Sequence, residues 1–293
     1  MKKNTYFLLG LFLCLLIAAY LVLQKPGEQS ASSAGIGPLF TVDSSLVDKI
    51  EIKSSASSLV LEKRGAEWFV NQPVSDKADQ ANVGQIIHQI KNLEVKNSVS
   101  SKPEKHSVFQ VDQTGTQVTL WEKGVEKAAF ILGKMAESYT ASFVRKLHSD
   151  EVFLVEGASG YMFNRPLKEW RDKTISTVPK ESIKEVRYQY GDTTFSVSLV
   201  DSLWVVGKEK AQPSVVDGIL SVLSNIQADD FIDTAITPKI TAQLTYAGTQ
   251  LRFSFIKDQN RFEVQSSNSP RWYVLESWKA NQLLKRKKEI VVP

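Results

Sequence analysis

IEIKSSASSLVLEKRGAEWFV (residues 50–70) and KADQANVGQIIHQIKNLEV (77–95) find an echo in VRYQYGDTTFSVSLVDSLWVV (186–206) and QPSVVDGILSVLSNI (212–226). Each pair reads as strand, strand, Trp-bearing strand and amphipathic helix. At an offset of 136, Ile50, Ile52, Leu59, Leu61 and Trp68 fall on Val186, Tyr188, Phe195, Val197 and Trp204. A three-residue shortening gives an offset of 133. Val83, Ile86, Ile87, Ile90 and Leu93 then fall on Val216, Ile219, Leu220, Leu223 and Ile226, and Gly115-Thr116-Gln117 on Gly248-Thr249-Gln250. At offset 120, Val152–Glu156 lies over Trp272–Glu276. Shared apolar periodicity between two unrelated α+β domains is the alternative. The matched Trp, helix face and Gly-Thr-Gln favour duplication of one unit.

Working outward, residues 39–175 and 176–293 are expected to be two tandem α+β domains. Each would pack one helix on a mainly antiparallel sheet. In the first, alternation predicts strands at Val47–Lys53, Ser58–Lys63, Glu67–Val70, Gln117–Glu122, Ala128–Leu132, Thr140–Lys146 and Val152–Val155. Asp79 is placed to cap the helix bearing Val83 to Leu93. In the second, strands are expected at Ile183–Tyr190, Thr194–Leu199, Leu203–Val206, Thr241–Tyr246, Gln250–Ile256, Phe262–Gln265 and Trp272–Leu275. Pro213 suits the first turn of a helix, where its missing N–H costs nothing. A terminal helix is expected over Ser277–Lys287.

Before these domains comes a segment of another kind. No charge occurs between Lys3 and Lys25, and Thr5 to Leu23 is almost wholly apolar. Such a helix would be about 28 Å long, close to the hydrocarbon thickness of a bilayer. Lys2 and Lys3 precede it, so the positive-inside rule places the N-terminus in the cytoplasm and the domains outside, periplasmic or extracellular. A cleaved signal peptide is the competing reading. The residues after Ala18-Ala19 make a poor cleavage site, and Cys14 lacks the small residues expected before a lipid-modified cysteine. Residues 1–23 are therefore expected to be an uncleaved anchor. Residues 24–38 (QKPGEQSASSAGIGP) read as a flexible linker with a root-mean-square reach of roughly 20 Å.

The 293 residues are 42% hydrophobic and 23% charged, with a net charge of +4. This is ordinary globular composition. The charge is too mild for a nucleic-acid partner, so none is expected. Cys14 is the only cysteine, so the domains carry no disulfide and no thiolate chemistry.

The stretch LVLEKRGAEWFVNQPVSDKADQANVGQIIHQIKNLEV (59–95) resembles domain-of-unknown-function family 4340. The matching positions are Leu59, Leu61, Gly65, Trp68, Pro73, Ala78, Asp79, Val83, Ile86, Ile87, Ile90 and Leu93. Ile131-Leu132-Gly133-Lys134, Tyr139–Val144 and Val152-Phe153-Leu154 resemble the later strands of that family. The second copy departs from it, with Asp201 for Gly65 and Ala211-Gln212 for Ala78-Asp79. The family has no established activity. The resemblance implies an auxiliary part of a membrane-associated ABC-type transport system, of the kind also found in bacterial gliding-motility systems. Permease or ATPase subunits would be its partners. Gly65 and Gly133 read as isolated turn glycines and form no P-loop, so this chain would not be the motor.

Chemistry-bearing patterns are sparse. His88, His106 and His148 have no metal-ligand spacing. Asp229-Asp230 reads as a solvated loop, and no nucleophile elbow occurs. No catalytic, cofactor-binding or metal-binding residue is assigned, no cofactor is expected, and the chain is not expected to be an enzyme. Trp68 and Trp204 recur in register and read as core. Trp121, Trp170 and Trp278 have no like partner and are better candidates for an interface, although packing is the favoured reading for them too. Lys285-Arg286-Lys287-Lys288 reads as a solvated helix end, or as a contact for anionic lipid. The function expected is a membrane-anchored, extracytoplasmic accessory or scaffold subunit. The alternatives are a glycan- or peptide-binding module and, third, a cell-envelope enzyme. A functional surface is expected where the copies differ: Lys134–Tyr139, Arg165–Lys173 and the basic C-terminal end.

Overall fold

The computed structural model describes residues 37–137 and 139–293. The anchor expected over residues 5–23 lies outside them, as does the linker expected over 24–38 apart from its last two residues. Among the described residues no helix is long and apolar enough to cross a membrane. The architecture is α+β and rich in strands, all of them antiparallel. The chain divides into two compact units, one ending at Trp170 and the other running from Arg171 to Pro293.

In the first unit the strands are β1 (Gly37–Pro38), β2 (Val47–Lys53), β3 (Ser58–Arg64), β4 (Glu67–Gln72) and β5 (Asp76–Lys77). Helix α1 (Gln80–Lys91) follows. The remaining elements are β6 (Glu94–Ser100), α2 (His106–Phe109), β7 (Thr116–Glu122), β8 (Val125–Met135), β9 (Ala141–Lys146), β10 (Val152–Glu156) and α3 (Gly160–Phe163). The sheet order is β1-β6-β10-β9-β8-β7-β2-β3-β4-β5. Helix α1 forms because its apolar residues recur at 3.6 spacing and Asp79 caps it, accepting from Asn82 N at 2.8 Å. Its buried face (Val83, Ile86, Ile87, Ile90) meets Ile50, Leu61, Trp68, Val118, Phe130 and Val155 in one core.

Three expectations need correction here. Glu94–Ser100 is a strand that apolar alternation does not announce, since only Val95 and Ser98 are buried. Gly133 is not a turn glycine: it lies inside β8, and a Cβ there would collide with the Phe109 carbonyl and Val111. Its missing side chain lets the end of α2 lie against the sheet. Gly65 does sit in a turn, with φ of +63°. Gly37–Pro38, assigned to the linker from sequence, pairs with Val95 and Glu94.

The second unit contains β11 (Thr174–Thr177), β12 (Glu185–Tyr190), β13 (Thr193–Val200), β14 (Leu203–Val206), β15 (Glu209–Lys210) and helix α4 (Pro213–Ser224). They are followed by β16 (Asn225–Gln227), β17 (Asp230–Ile232), β18 (Ala242–Tyr246), β19 (Thr249–Ile256), β20 (Arg261–Ser266) and β21 (Trp272–Glu276). Its main sheet runs β15-β14-β13-β12-β18-β19-β20-β21-β17. Thr174–Thr177 straddles the boundary at 175/176 and pairs with Asn225–Gln227 within this unit. Inward residues Val186, Tyr188 and Tyr190 alternate along β12 and join Val216, Ile219, Leu220 and Leu223 of α4 in the core.

The single terminal helix expected over Ser277–Lys287 is two helices, α5 (Ser277–Leu283) and α6 (Lys287–Ile290). Leu283 and Ile290 are both fully buried, and one straight helix does not serve the bonds between them. Tyr190 Oη donates to Lys285 O at 2.9 Å, and Glu289 Oε2 accepts from Arg286 N at 2.8 Å, starting a new helix. The basic run thus precedes and begins α6 and does not end a helix.

Candidate functional site

A hollow in the first unit lies where β4 leaves the sheet. Strand β3 pairs with β2 along its length, with Leu59 opposite Ile52 and Ser58 opposite Lys53. Its pairing with β4 stops at Val60 opposite Gln72. Pro73 follows, which has no N–H to continue a ladder. Leu59 and Ser58 therefore extend past the end of β4. The notch so formed is a cavity of about 620 Å³, bounded by the β2–β3 turn, Gln72-Pro73 and the segment Phe163–Trp170. That volume is in the range of small-molecule and peptide sites.

The wall opposite β3 is clamped to the start of α1. Asp79 N donates to Trp170 O at 2.9 Å, and Asn82 Nδ2 donates to Glu169 O at 2.6 Å. Arg165 lies in this wall, half-buried. Its guanidinium donates to Asn82 Oδ1, to Gln85 Oε1 at 2.8 Å and to Met162 Sδ. It also sits 5.7 Å from the centre of the Trp170 ring. These partners are all neutral. Among the described residues three bonds engage a group that carries five N–H donors, which leaves two. The apolar part of the lining comes from Ile52, Leu59, Phe163, Leu167 and Trp170.

The lining offers one cation, amide and hydroxyl groups and apolar side chains, which suits it to binding. Sequence marked Arg165–Lys173 as a place to look, and the first half of that segment is the cavity wall. Sequence named Trp170 among the interface candidates while favouring packing for it, and it is 2% exposed and belongs to the core. Its ring edges the cavity from within. Trp121 is half-buried, with Lys49 Nζ 4.8 Å from its ring. Trp278 is 62% exposed, the most open of the three. Trp68 is buried, whereas Trp204 packs against the second core half-exposed.

The other expected positions are scattered. His88 Nε2 lies 2.9 Å from Asn92 Nδ2, His106 Nε2 lies 2.9 Å from Asp150 O, and His148 Nε2 lies 3.1 Å from Glu126 Oε1. Among the described residues no group of three or more His, Cys, Asp or Glu could hold a metal ion. Asp229-Asp230 is not a loop: Asp230 begins β17, and Asp229 pairs with Lys279 Nζ at 2.6 Å while accepting from Glu276 N at 2.9 Å. It ties α5 to the sheet edge. In the basic run, Arg286 stacks 3.8 Å from the Tyr190 ring and Lys287 pairs with Glu209 at 3.0 Å. In the Lys134–Tyr139 connection, Tyr139 is 82% exposed at φ of +59°.

Arg171 lies in the marked segment Arg165–Lys173, but its role was not legible in the sequence. It is 2% exposed, forms a two-pronged pair with Asp233 at 2.7 and 2.8 Å, and lies 3.7 Å from the Phe231 ring. The hydrogen bonds from Arg171 hold the Asp233 carboxyl below its ordinary pKa, against the opposing effect of burial. This pair closes a loop within the second unit. Only the partner distant in sequence reveals its purpose.

A family model described as Domain of unknown function (DUF4340) matches residues 68–246, from the Trp-bearing strand of the first unit to the end of β18. No curated protein and no solved structure matches the chain.

Proposed function

The chain belongs to the DUF4340 family, and from that premise we propose that it is a membrane-anchored, extracytoplasmic, non-catalytic accessory subunit of a membrane assembly such as an ABC-type transport system. The observation that carries this reading is the order of its parts. An uncharged apolar stretch of membrane length, 5–23, is followed by a Ser/Gly/Ala-rich linker and then by strand-rich units. The first of these offers a ligand-sized cavity beside a neutral-bonded arginine. Such an arrangement holds a binding surface close to a bilayer. Affinity purification of the full chain in mild detergent should recover a permease or an ATPase subunit. A chain that purifies alone from several detergents counts against the proposal. A reporter fused at the C-terminus should be active only outside the cytoplasm.

The cavity specifically favours a second reading, a peptide- or glycan-binding module. The two readings are compatible if the cavity is where the partner is grasped.

We also infer that the two units are copies of one unit. What supports this is their similar strand order: across each sheet come the strands before the helix, then four strands from the end of the unit, then a strand that lies between them in the chain, β6 in the first unit and β17 in the second. Backbone bonds agree in detail: Ala78 N donates to Trp68 O at 3.0 Å, and Ala211 N to Trp204 O at 2.9 Å. A chimera carrying 186–206 in place of 50–70 should fold. A chain that stays unfolded would speak against common descent.

A further inference from the structure

We propose that the cavity at the end of β4 receives an extended peptide segment bearing a carboxylate, with the carboxylate on Arg165 and the peptide backbone beside Ser58 and Leu59. The inference rests on the binding-module reading and names the ligand class for it.

Three observations converge. The first is the notch itself. Ser58 and Leu59 continue β3 beyond the last residue of β4 that pairs with it, and the space beside them is open. An extended chain placed there would prolong the ladder, the mode known as strand addition. The second is charge. Arg165 is half-buried, its three partners are uncharged, and two of its donors remain. A cation held in a partly desolvated wall without a counter-ion among the described residues favours an anionic ligand, and a guanidinium suits a carboxylate in particular. The third is preorganisation. Asn82 and Gln85 on one side and the Trp170 ring on the other hold the guanidinium in place, and the whole wall is tied to α1 by the Asp79 and Asn82 bonds. Little side-chain freedom is left to lose on binding. The apolar residues Ile52, Leu59, Phe163 and Leu167 would take the side chain of the residue that carries, or precedes, the carboxylate.

The second unit supplies an internal contrast. At the aligned positions of Ile52 and Leu59 stand Tyr188 and Phe195, which face each other across β12 and β13 just as Ile52 and Leu59 do across β2 and β3. Their rings stack at 4.8 Å, with 5° between planes. Aromatic rings thus occupy, in one unit, positions that border open space in the other. Leu59→Phe is therefore a natural way to fill the cavity from a site whose backbone stays in the same strand.

The test uses the full chain in nanodiscs and three pools of random hexapeptides, with retained peptides counted by mass spectrometry. One pool has free C-termini and no Asp or Glu. A second is amidated and contains one Glu. A third is amidated without acidic residues. The first or second pool should be retained at least ten-fold better than the third, and which of the two wins tells a terminal carboxylate from a side-chain one. Arg165→Met should abolish the difference. Leu59→Phe should abolish retention while keeping the melting temperature within a few degrees, which separates blocked binding from unfolding. Equal retention of all three pools, or none, overturns the proposal. So does preferential retention of cell-wall glycan fragments in the same assay. If the chain still captures a permease or ATPase when Arg165→Met has no effect on peptides, the ligand inference fails and the accessory-subunit reading stands. If peptides are retained but no assembly is captured, the reverse holds.

Discussion

Ile52 opposite Leu59 and Tyr188 opposite Phe195 are the same register pair in two sheets of like strand order. One pair borders a cavity of about 620 Å³; the other is a stacked aromatic pair continued by Tyr190. The second unit adds Arg286 over the Tyr190 ring and a Tyr190 hydrogen bond to Lys285 O. Its C-terminal helices thus dock where its own aromatic cluster lies. The first unit has the Phe163–Trp170 wall, an arginine and open volume. The difference teaches that one sheet plan can be finished in two ways. Aromatic rings stack at the aligned positions of one unit, and open volume borders them in the other.

The largest expected effect tests whether the repeated Trp does the same work twice. Trp68 is buried at 7% exposure, while Trp204 is only half-buried. Trp68→Ala should cost about 3–5 kcal/mol, as large-to-small changes of a buried aromatic do, and Trp204→Ala roughly half that. Chemical denaturation followed by a probe in each unit would measure both. Equal losses would show that exposure is a poor guide to the role of this residue.

A smaller effect concerns how the two helices start. Asp79 caps α1 through Asn82 N. Gln212, at the aligned place, makes no side-chain cap. Its amide donates instead to Val291 O at 2.7 Å, and its backbone N–H donates to Ile290 O at 2.7 Å. Asp79→Ala should therefore destabilise by about 1 kcal/mol, the usual loss of a cap. Gln212→Ala should leave the helix intact but speed hydrogen exchange at the C-terminal residues. Loss of helix protection in the second case would undo the distinction.

The smallest effect runs in the opposite direction. Tyr188 is fully buried, its hydroxyl has no hydrogen-bond partner among the described residues, and burial pushes its pKa well above the ordinary tyrosine value. A buried hydroxyl without a partner is a net cost. Tyr188→Phe should keep the stack and stabilise the second unit by up to about 1 kcal/mol, read as a higher melting temperature. A lower melting temperature would mean that the hydroxyl does bond in solution.

Much of the scaffold was legible because burial is periodic. Strands at Val47, Ser58, Glu67, Leu203 and Trp272 and both long helices announce themselves by alternation or by 3.6 spacing. Glu94–Ser100 escaped because a strand near a sheet edge needs few apolar residues, and EVKNSVS has two valines. The terminal helix looked continuous because its break depends on Tyr190, which lies 95 residues from its partner Lys285. Of the candidate site, the stretch Arg165–Lys173 stood out as a place where the two aligned halves of the sequence differ, but its meaning did not. A cavity is a property of what fails to meet. Ser58, Gln72, Arg165 and Trp170 are far apart in the chain, and nothing local in their neighbourhoods encodes the gap between them.

By itself, then, the amino-acid sequence determined the α+β class, the Trp–helix unit, the family resemblance and the apolar stretch ahead of the folded units. These follow from local chemistry: the side-chain period of each element, turn residues, caps and charge. The tertiary structure alone decided the strand order, the end of β4 short of β3, the burial of Trp170 and Arg171, and the neutral setting of Arg165. Each of these depends on groups brought together from distant parts of the chain, and contacts of that kind are selected by packing as a whole and not by any one stretch of residues.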